Sequence, residues 1–182
     1  MNVIIIFSPG LGGNHLANMI STDPRFHNRT SVKDYLESTR ADAHFSSLQN
    51  LNNLDELQQT DNNVLCGHLG EFIWTEYMAI TSRFKSLQIV LIETPKDHTS
   101  VAYQRWQDYS QMNSYFQAEQ GVLYSQDVIE RITGITDMNF MPSESLFNKT
   151  APIEILQEMN YNIDAEQCTK MHTHWFENNL FK

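Results

Sequence analysis

The sequence predicts an α/β fold built on a mostly parallel sheet. Three runs with apolar centres, Val3 to Phe7, Val64 to Gly67 and Gln88 to Ile92, are each closed by turn-forming residues and followed by a helix-type pattern. The first run is β-branched and aromatic without alternation, as in a strand covered on both faces. No two runs are joined by a hairpin signal, so crossover connections and parallel pairing follow.

Taken in order, Val3-Ile4-Ile5-Ile6-Phe7 is the first strand and Ser8-Pro9-Gly10 its stop. Asn14 to Ile20 reads as a helix, capped by Asn14 or a nearby loop residue, with Leu16, Met19 and Ile20 on one face. Residues 23–62 are polar, rich in Ser, Asn, Asp and Thr, with weak helical periodicity at Val32 to Leu36 and Leu48 to Leu57; they read as loops, a lid or a partner-contact segment. Asn63 to Gly67 is the second strand, and Ile73, Tyr77, Ile80 and Phe84 form a helical stripe after it. Gln88 to Ile92 is the third strand, Ala102, Trp106 and Tyr109 mark a helix, and Met138 to Met141 a fourth strand. Helices follow near Ile153 to Met159 and Ala165 to Asn178. No repeat or linker divides the chain, so residues 1–182 read as one domain with an insert at 23–62.

Composition narrows the function. Hydrophobic residues make up 41% of the 182, enough for a sizeable core, which argues against a disordered or fibrous chain. Twelve Lys and Arg against 22 Asp and Glu give a net charge of -10, which opposes attraction to nucleic acid. Cys66 and Cys168 are far apart and match no metal-ligand spacing, so no metal and no disulfide framework are expected. Val3 to Phe7 is too short for a signal peptide or membrane span, and a cytoplasmic protein is the expectation.

Ligands of an open parallel sheet bind beyond the carboxyl ends of its strands. The segments there are Ser8-Pro9-Gly10-Leu11-Gly12-Gly13-Asn14-His15, then His68-Leu69-Gly70, then Glu93-Thr94-Pro95-Lys96-Asp97, and all three are expected at one rim. Three glycines in four positions before a helix let backbone amides point at an anion, aided by the helix dipole. Walker A would need Lys and Ser or Thr where Asn14 and His15 stand, and the dinucleotide pattern would need Gly at position 15. A tight strand-to-helix turn without a ligand is the other reading. If the site binds an anion, replacing Gly12 by a bulky β-branched residue is expected to remove binding and leave the fold largely intact.

Taken together, the three segments resemble the cytosolic sulfotransferases. Ser8 to Leu16 matches that family's Y-P-K-S-G-T-T-W-L at Pro9, Gly12 and Leu16; Gly67-His68-Leu69-Gly70 corresponds to T-H-L-P, and Glu93 to Asp97 keeps the last three residues of R-N-P-K-D. Phe140 to Leu146 resembles a strand ending in Y-E-D-L, with Glu144 and Leu146 kept. The resemblance implies a three-layer α/β/α fold of the P-loop nucleoside triphosphate hydrolase type, and transfer of a sulfuryl group from 3′-phosphoadenosine 5′-phosphosulfate (PAPS) to an acceptor hydroxyl or amine. It makes His68 the general base, a role suited to a side chain titrating near neutrality. The donor's phosphates would lie on Ser8, Gly10, Gly12, Gly13, Asn14 and His15.

This chain departs from the family at several cationic positions. The phosphate-loop Lys falls on Gly10, and the Arg that reads the 3′-phosphate falls on Glu93. The Ser sharing that task falls on Val101, one position beyond Ser100. Of the C-terminal G-x-x-G-x-W-K-N cluster, Trp175 and a displaced Asn178 remain. Lys96 and Arg105 are the nearest basic residues that could replace the lost cations, and each could equally be a solvated charge. His15 stands where the family has Trp, with packing and ligand contact both open. Phe72, Trp74, Tyr77, Trp106 and Tyr109 could line an acceptor pocket, although such stripes are usually core. Glu144 reads as a helix-start carboxylate. His172 and His174 diverge by about 200 degrees on a helix, which argues against a shared metal, and read as solvated.

The expected partner is a small-molecule anion or nucleotide; neither acceptor nor oligomeric state is legible. Two other classes fit less of the pattern. A non-catalytic nucleotide- or protein-binding module would explain the lost cations. A nucleotide-dependent kinase is weakened by the absent Walker Lys and Ser or Thr and by the lack of a clear Walker B carboxylate after a strand.

Overall fold

Val3 to Phe7 are each at most 3% exposed, so strand β1 (Asn2–Phe7) is buried on both faces of its pleat. That is what an unbroken apolar run demands of a central strand. In this computed structural model the described residues are 1–7, 10–27, 31–37, 62–68, 87–93, 95–112 and 137–180. Ser8 and Pro9, Leu69 and Gly70, the Leu48 to Leu57 segment, and the stripe from Phe72 to Phe84 lie outside the described residues.

Strand β1 is followed by α1 (Gly13–Ile20), α2 (Val32–Glu37), β2 (Val64–His68), β3 (Leu87–Ile92) and α3 (Val101–Met112). Then come β4 (Asp137–Met141), α4 (Ser143–Leu146), α5 (Ala151–Glu158) and α6 (Ala165–Leu180). The four strands form one sheet in the order β2-β1-β3-β4, and every pair is parallel. The chain leaves β1 for β2 on one side and returns to β3 on the other, so the direction of strand addition reverses between β1 and β3.

Register brings the strand ends together at one edge. Phe7 pairs with His68 and Ile6 with Leu91, so the segments after β1, β2 and β3 all leave from the carboxyl edge of the sheet. On the odd-numbered face of β1, Val3, Ile5 and Phe7 join Val64, Cys66, Val90 and Ile92 in a cluster with Leu16, Met19 and Ile20 of α1 and Leu156 of α5. Ile4, Ile6, Leu65, Ile89 and Leu91 are buried too, on the other face. Helix α6 packs against α1, α2 and α5.

Several helix starts have local causes. Ser31 Oγ accepts the Asp34 N–H and donates to the Asp34 carboxylate, a reciprocal cap for α2. Asp164 caps α6 through the Gln167 N–H and side-chain amide. Helix α1 begins one residue earlier than Asn14, because Gly12 is its cap in a left-handed conformation at φ 76°. Strand β2 runs on through His68, which keeps a partner in Phe7. Among the described residues, no helix is long and apolar enough to cross a membrane.

Candidate functional site

The glycine-rich segment lies at the end of the central strand, and two packing contacts determine its shape. A Cβ on Gly13 would stand 2.0 Å from Phe7 Cδ1, so the helix can start directly on top of β1 only with glycine there. A Cβ on Gly12 would stand 2.9 Å from Trp175 Cζ2, which places the C-terminal helix against the turn. Gly10 and Gly12 both have positive φ, 87° and 76°. The Leu16 N–H returns to the Gly12 carbonyl at 3.0 Å. Amides of Gly13, Asn14 and His15 precede that bond and have no acceptor within the helix, the condition for holding an anion at a helix N-terminus.

Behind this turn stands a buried polar chain. His15 is 0% exposed; its Nδ1 lies 2.7 Å from Tyr35 Oη and its Nε2 lies 2.9 Å from His172 Nδ1. His172, also 0% exposed, places its Nε2 2.8 Å from the Asn148 carbonyl oxygen. A carbonyl only accepts, so proton placement follows from that end. His172 Nε2–H donates to Asn148, neutral His172 Nδ1 accepts from His15 Nε2–H, and His15 Nδ1 accepts from the Tyr35 hydroxyl. The rings of His15 and His172 are 17° from coplanar with centroids 5.1 Å apart, the arrangement of imidazoles meeting edge to edge through a hydrogen bond. Trp175 lies parallel to both, at 4.7 Å and 4° from His15 and at 5.9 Å and 18° from His172.

Both imidazoles are harder to protonate than usual. Burial holds His15 well below the ordinary histidine range, and a charge on His172 would push it further down. Burial also lowers His172, against the opposing effect of its bond to Asn148. The solvated reading of His172 is therefore overturned. Cys168, Met171, His172 and Trp175, at spacings of three, four and seven, are all buried on one face of α6.

The described residues of the rim take up the following places. His68 ends β2 beside Phe7, and its ring lies outside the described side chains. Asn14 accepts from the Cys66 thiol at 2.8 Å. Lys96 makes an exposed ion pair, its Nζ 3.2 Å from Glu93 Oε1 with the Lys96 side chain 84% exposed. Ser100 caps α3, its Oγ accepting the Tyr103 N–H at 3.1 Å. Arg105 and Trp106 are partly buried on α3. Glu144 does more than favour a helix start: its Oε1 accepts the Lys96 N–H at 3.0 Å, which joins α4 to the loop after β3.

Sequence reasoning missed Tyr35 and Asn148 altogether and missed the partnership of His15 with His172. The stripe on α6 was the available signal for His172; no local pattern signals the other two. Among the described residues, no three His, Cys, Asp or Glu side chains converge as metal ligands would. Comparison of the chain with protein-family models, with curated proteins and with solved structures returns no match.

Proposed function

We propose that this chain is a sulfotransferase-like protein of the P-loop fold type, with the turn from Gly10 to His15 holding the oxygens of a nucleotide-type or sulfuryl anion. The observation that carries the reading is the glycine-rich turn at the carboxyl end of the central strand of a parallel 2-1-3-4 sheet, next to the point where strand order reverses. Amides of Gly12 to His15 and the Ser8 hydroxyl bind the anion. If the protein is an enzyme, His68 takes the acceptor's proton while the sulfuryl group passes in line from the donor phosphate to the acceptor oxygen or nitrogen. PAPS is the donor implied by the resemblance.

A second reading, a non-catalytic anion- or nucleotide-binding module on the same fold, is favoured by Gly10 in place of the loop Lys and by Glu93 engaging Lys96. Calorimetry and thermal shift with PAPS, its product 3′-phosphoadenosine 5′-phosphate (PAP), ATP, GTP and sulfate, followed by a transfer assay with labelled PAPS, separate the two. Binding with transfer supports the enzyme, binding without transfer supports the module, and no binding of any of the five contradicts both.

A further inference from the structure

The side chains of the histidine pair have no role in the reading above, yet they join three helices behind the glycine-rich turn. Tyr35 is on α2, His15 on α1 and His172 on α6, and the chain of hydrogen bonds ends on the Asn148 carbonyl between α4 and α5. Its proton count is limited. One extra proton fits only if His15 donates through Nδ1 to Tyr35 and the Tyr35 hydrogen finds another acceptor. A second would set N–H against N–H across the 2.9 Å contact.

Among the described residues, little near the pair can neutralise a charge. From α2 it faces Tyr35; from α6 the next titratable ring is His174, whose centroid is 6.2 Å from that of Tyr35; α1 brings only His15 itself, and the segment after α4 brings the Asn148 carbonyl. Phe147 and Phe176 add apolar rings around Trp175 and His172. Lys33, Asp34 and Glu37 on α2, Lys149 beside Asn148, and Glu166, Lys170 and Glu177 on α6 are all exposed.

We propose that Tyr35, His15 and His172 form a proton-operated latch, which holds α6 and Trp175 on the glycine-rich turn while both imidazoles are neutral and releases them when the pair takes up protons. Water solvates the imidazolium ions in the open form, so acid favours opening. The contact of Trp175 with Gly12 gives the latch a mechanical output, because opening removes what supports the left-handed turn. The effect on anion affinity rests on the function proposed above; the latch itself does not.

Hydrogen exchange of the α6 amides, corrected for the intrinsic pH dependence of exchange, measures the opening constant on the full chain. Below the ordinary histidine pKa, uptake of two protons raises that constant by about 100-fold per pH unit and uptake of one by about tenfold. The wild type is expected near the first value. His172→Gln, which keeps a donor and an acceptor but does not titrate, is expected near the second. A constant that does not rise as pH falls, or equal slopes in the two proteins, overturns the latch. Should His172→Gln not fold, ring-carbon NMR of the wild type decides: His15 and His172 are expected to titrate in the same pH interval in which α6 opens, and titration of either in the closed protein overturns it. Sulfate, whose charge is constant across this range, is expected to bind at least tenfold more weakly once α6 opens. Affinity unchanged by opening overturns the coupling to the turn, whereas sulfate that binds at no pH counts against the anion site and leaves the exchange result to stand for the latch.

Discussion

Trp175 stands where a side chain at Gly12 would have to go: the missing Cβ would lie 2.9 Å from its Cζ2. A bulky β-branched residue at Gly12, expected from the sequence to leave the fold largely intact, would meet Trp175 and so carries a cost in stability. Gly12→Ala is expected to destabilise by about 1–2 kcal/mol from the left-handed backbone alone, before Trp175 moves. Gly13→Ala is expected to cost more, toward or beyond the upper end of the roughly 1–3 kcal/mol typical of overpacking, because its Cβ would overlap the Phe7 ring at 2.0–2.3 Å. Denaturant midpoints of the two variants check both the sizes and their order.

Stability is expected to fall as the solution is acidified below the ordinary histidine pKa. Both His15 and His172 have folded-state values below their unfolded ones, so the unfolded chain binds more protons there and their contribution is lost as pH falls. Well below the ordinary histidine pKa, with both neutral when folded and charged when unfolded, the slope approaches about 2.7 kcal/mol per pH unit, twice that of a single group. Denaturant titrations between about pH 7.5 and about pH 5.5 span this window and stay above the ordinary carboxylate range. His172→Gln is expected to halve the slope; an unchanged slope would place its origin elsewhere.

Glu144 links α4 to the loop after β3. Burial pushes its carboxyl up, but hydrogen bonds from its own N–H, those of Lys96 and Asp97, and the Ser143 hydroxyl outweigh this and leave it below the usual range. Glu144→Ala removes the acceptor for the Lys96 and Asp97 amides and is expected to cost about 1 kcal/mol. Faster exchange of those two amides than in the wild type is the matching local signature.

The sheet was legible because strand signals are local. Val3 to Phe7 is apolar at every position, and burial on both faces follows from that alone. The rim followed as well, since parallel strands put their carboxyl ends on one edge. The histidine chain was not legible as a unit: His15 and His172 are 157 positions apart, and neither Tyr35 nor Asn148 belongs to a motif. The stripe of Cys168, Met171, His172 and Trp175 does signal a core position for His172, whereas the two-residue spacing from His174 speaks only to divergence around the helix. Ser100 shows the opposite difficulty. A hydroxyl before a helix serves equally as a cap or a phosphate ligand, and here it accepts the Tyr103 N–H.

Donor choice turns on Glu93. A carboxylate about 4 Å from a phosphate costs roughly 1 kcal/mol per charge pair even in bulk water. Lys96 pairs with Glu93, which offsets part of this cost. PAP is therefore expected to bind no better than about tenfold over the same nucleotide without its 3′-phosphate, a difference of about 1.4 kcal/mol. Lys96→Ala is expected to reduce that ratio further. A strong 3′-phosphate preference that disappears in Lys96→Ala or Arg105→Ala would show that one of these cations reads the group.

Backbone amide NMR of the full chain titrated with sulfate at about pH 7.5, above the ordinary histidine pKa, tests the anion site directly. The expected result is saturable shifts at Gly12, Gly13, Asn14 and His15, larger than those elsewhere, because amides before the Leu16 to Gly12 bond would turn their hydrogens to the ion. Absence of saturable shifts at these four residues, or saturation only at amides elsewhere in the chain, would contradict the account.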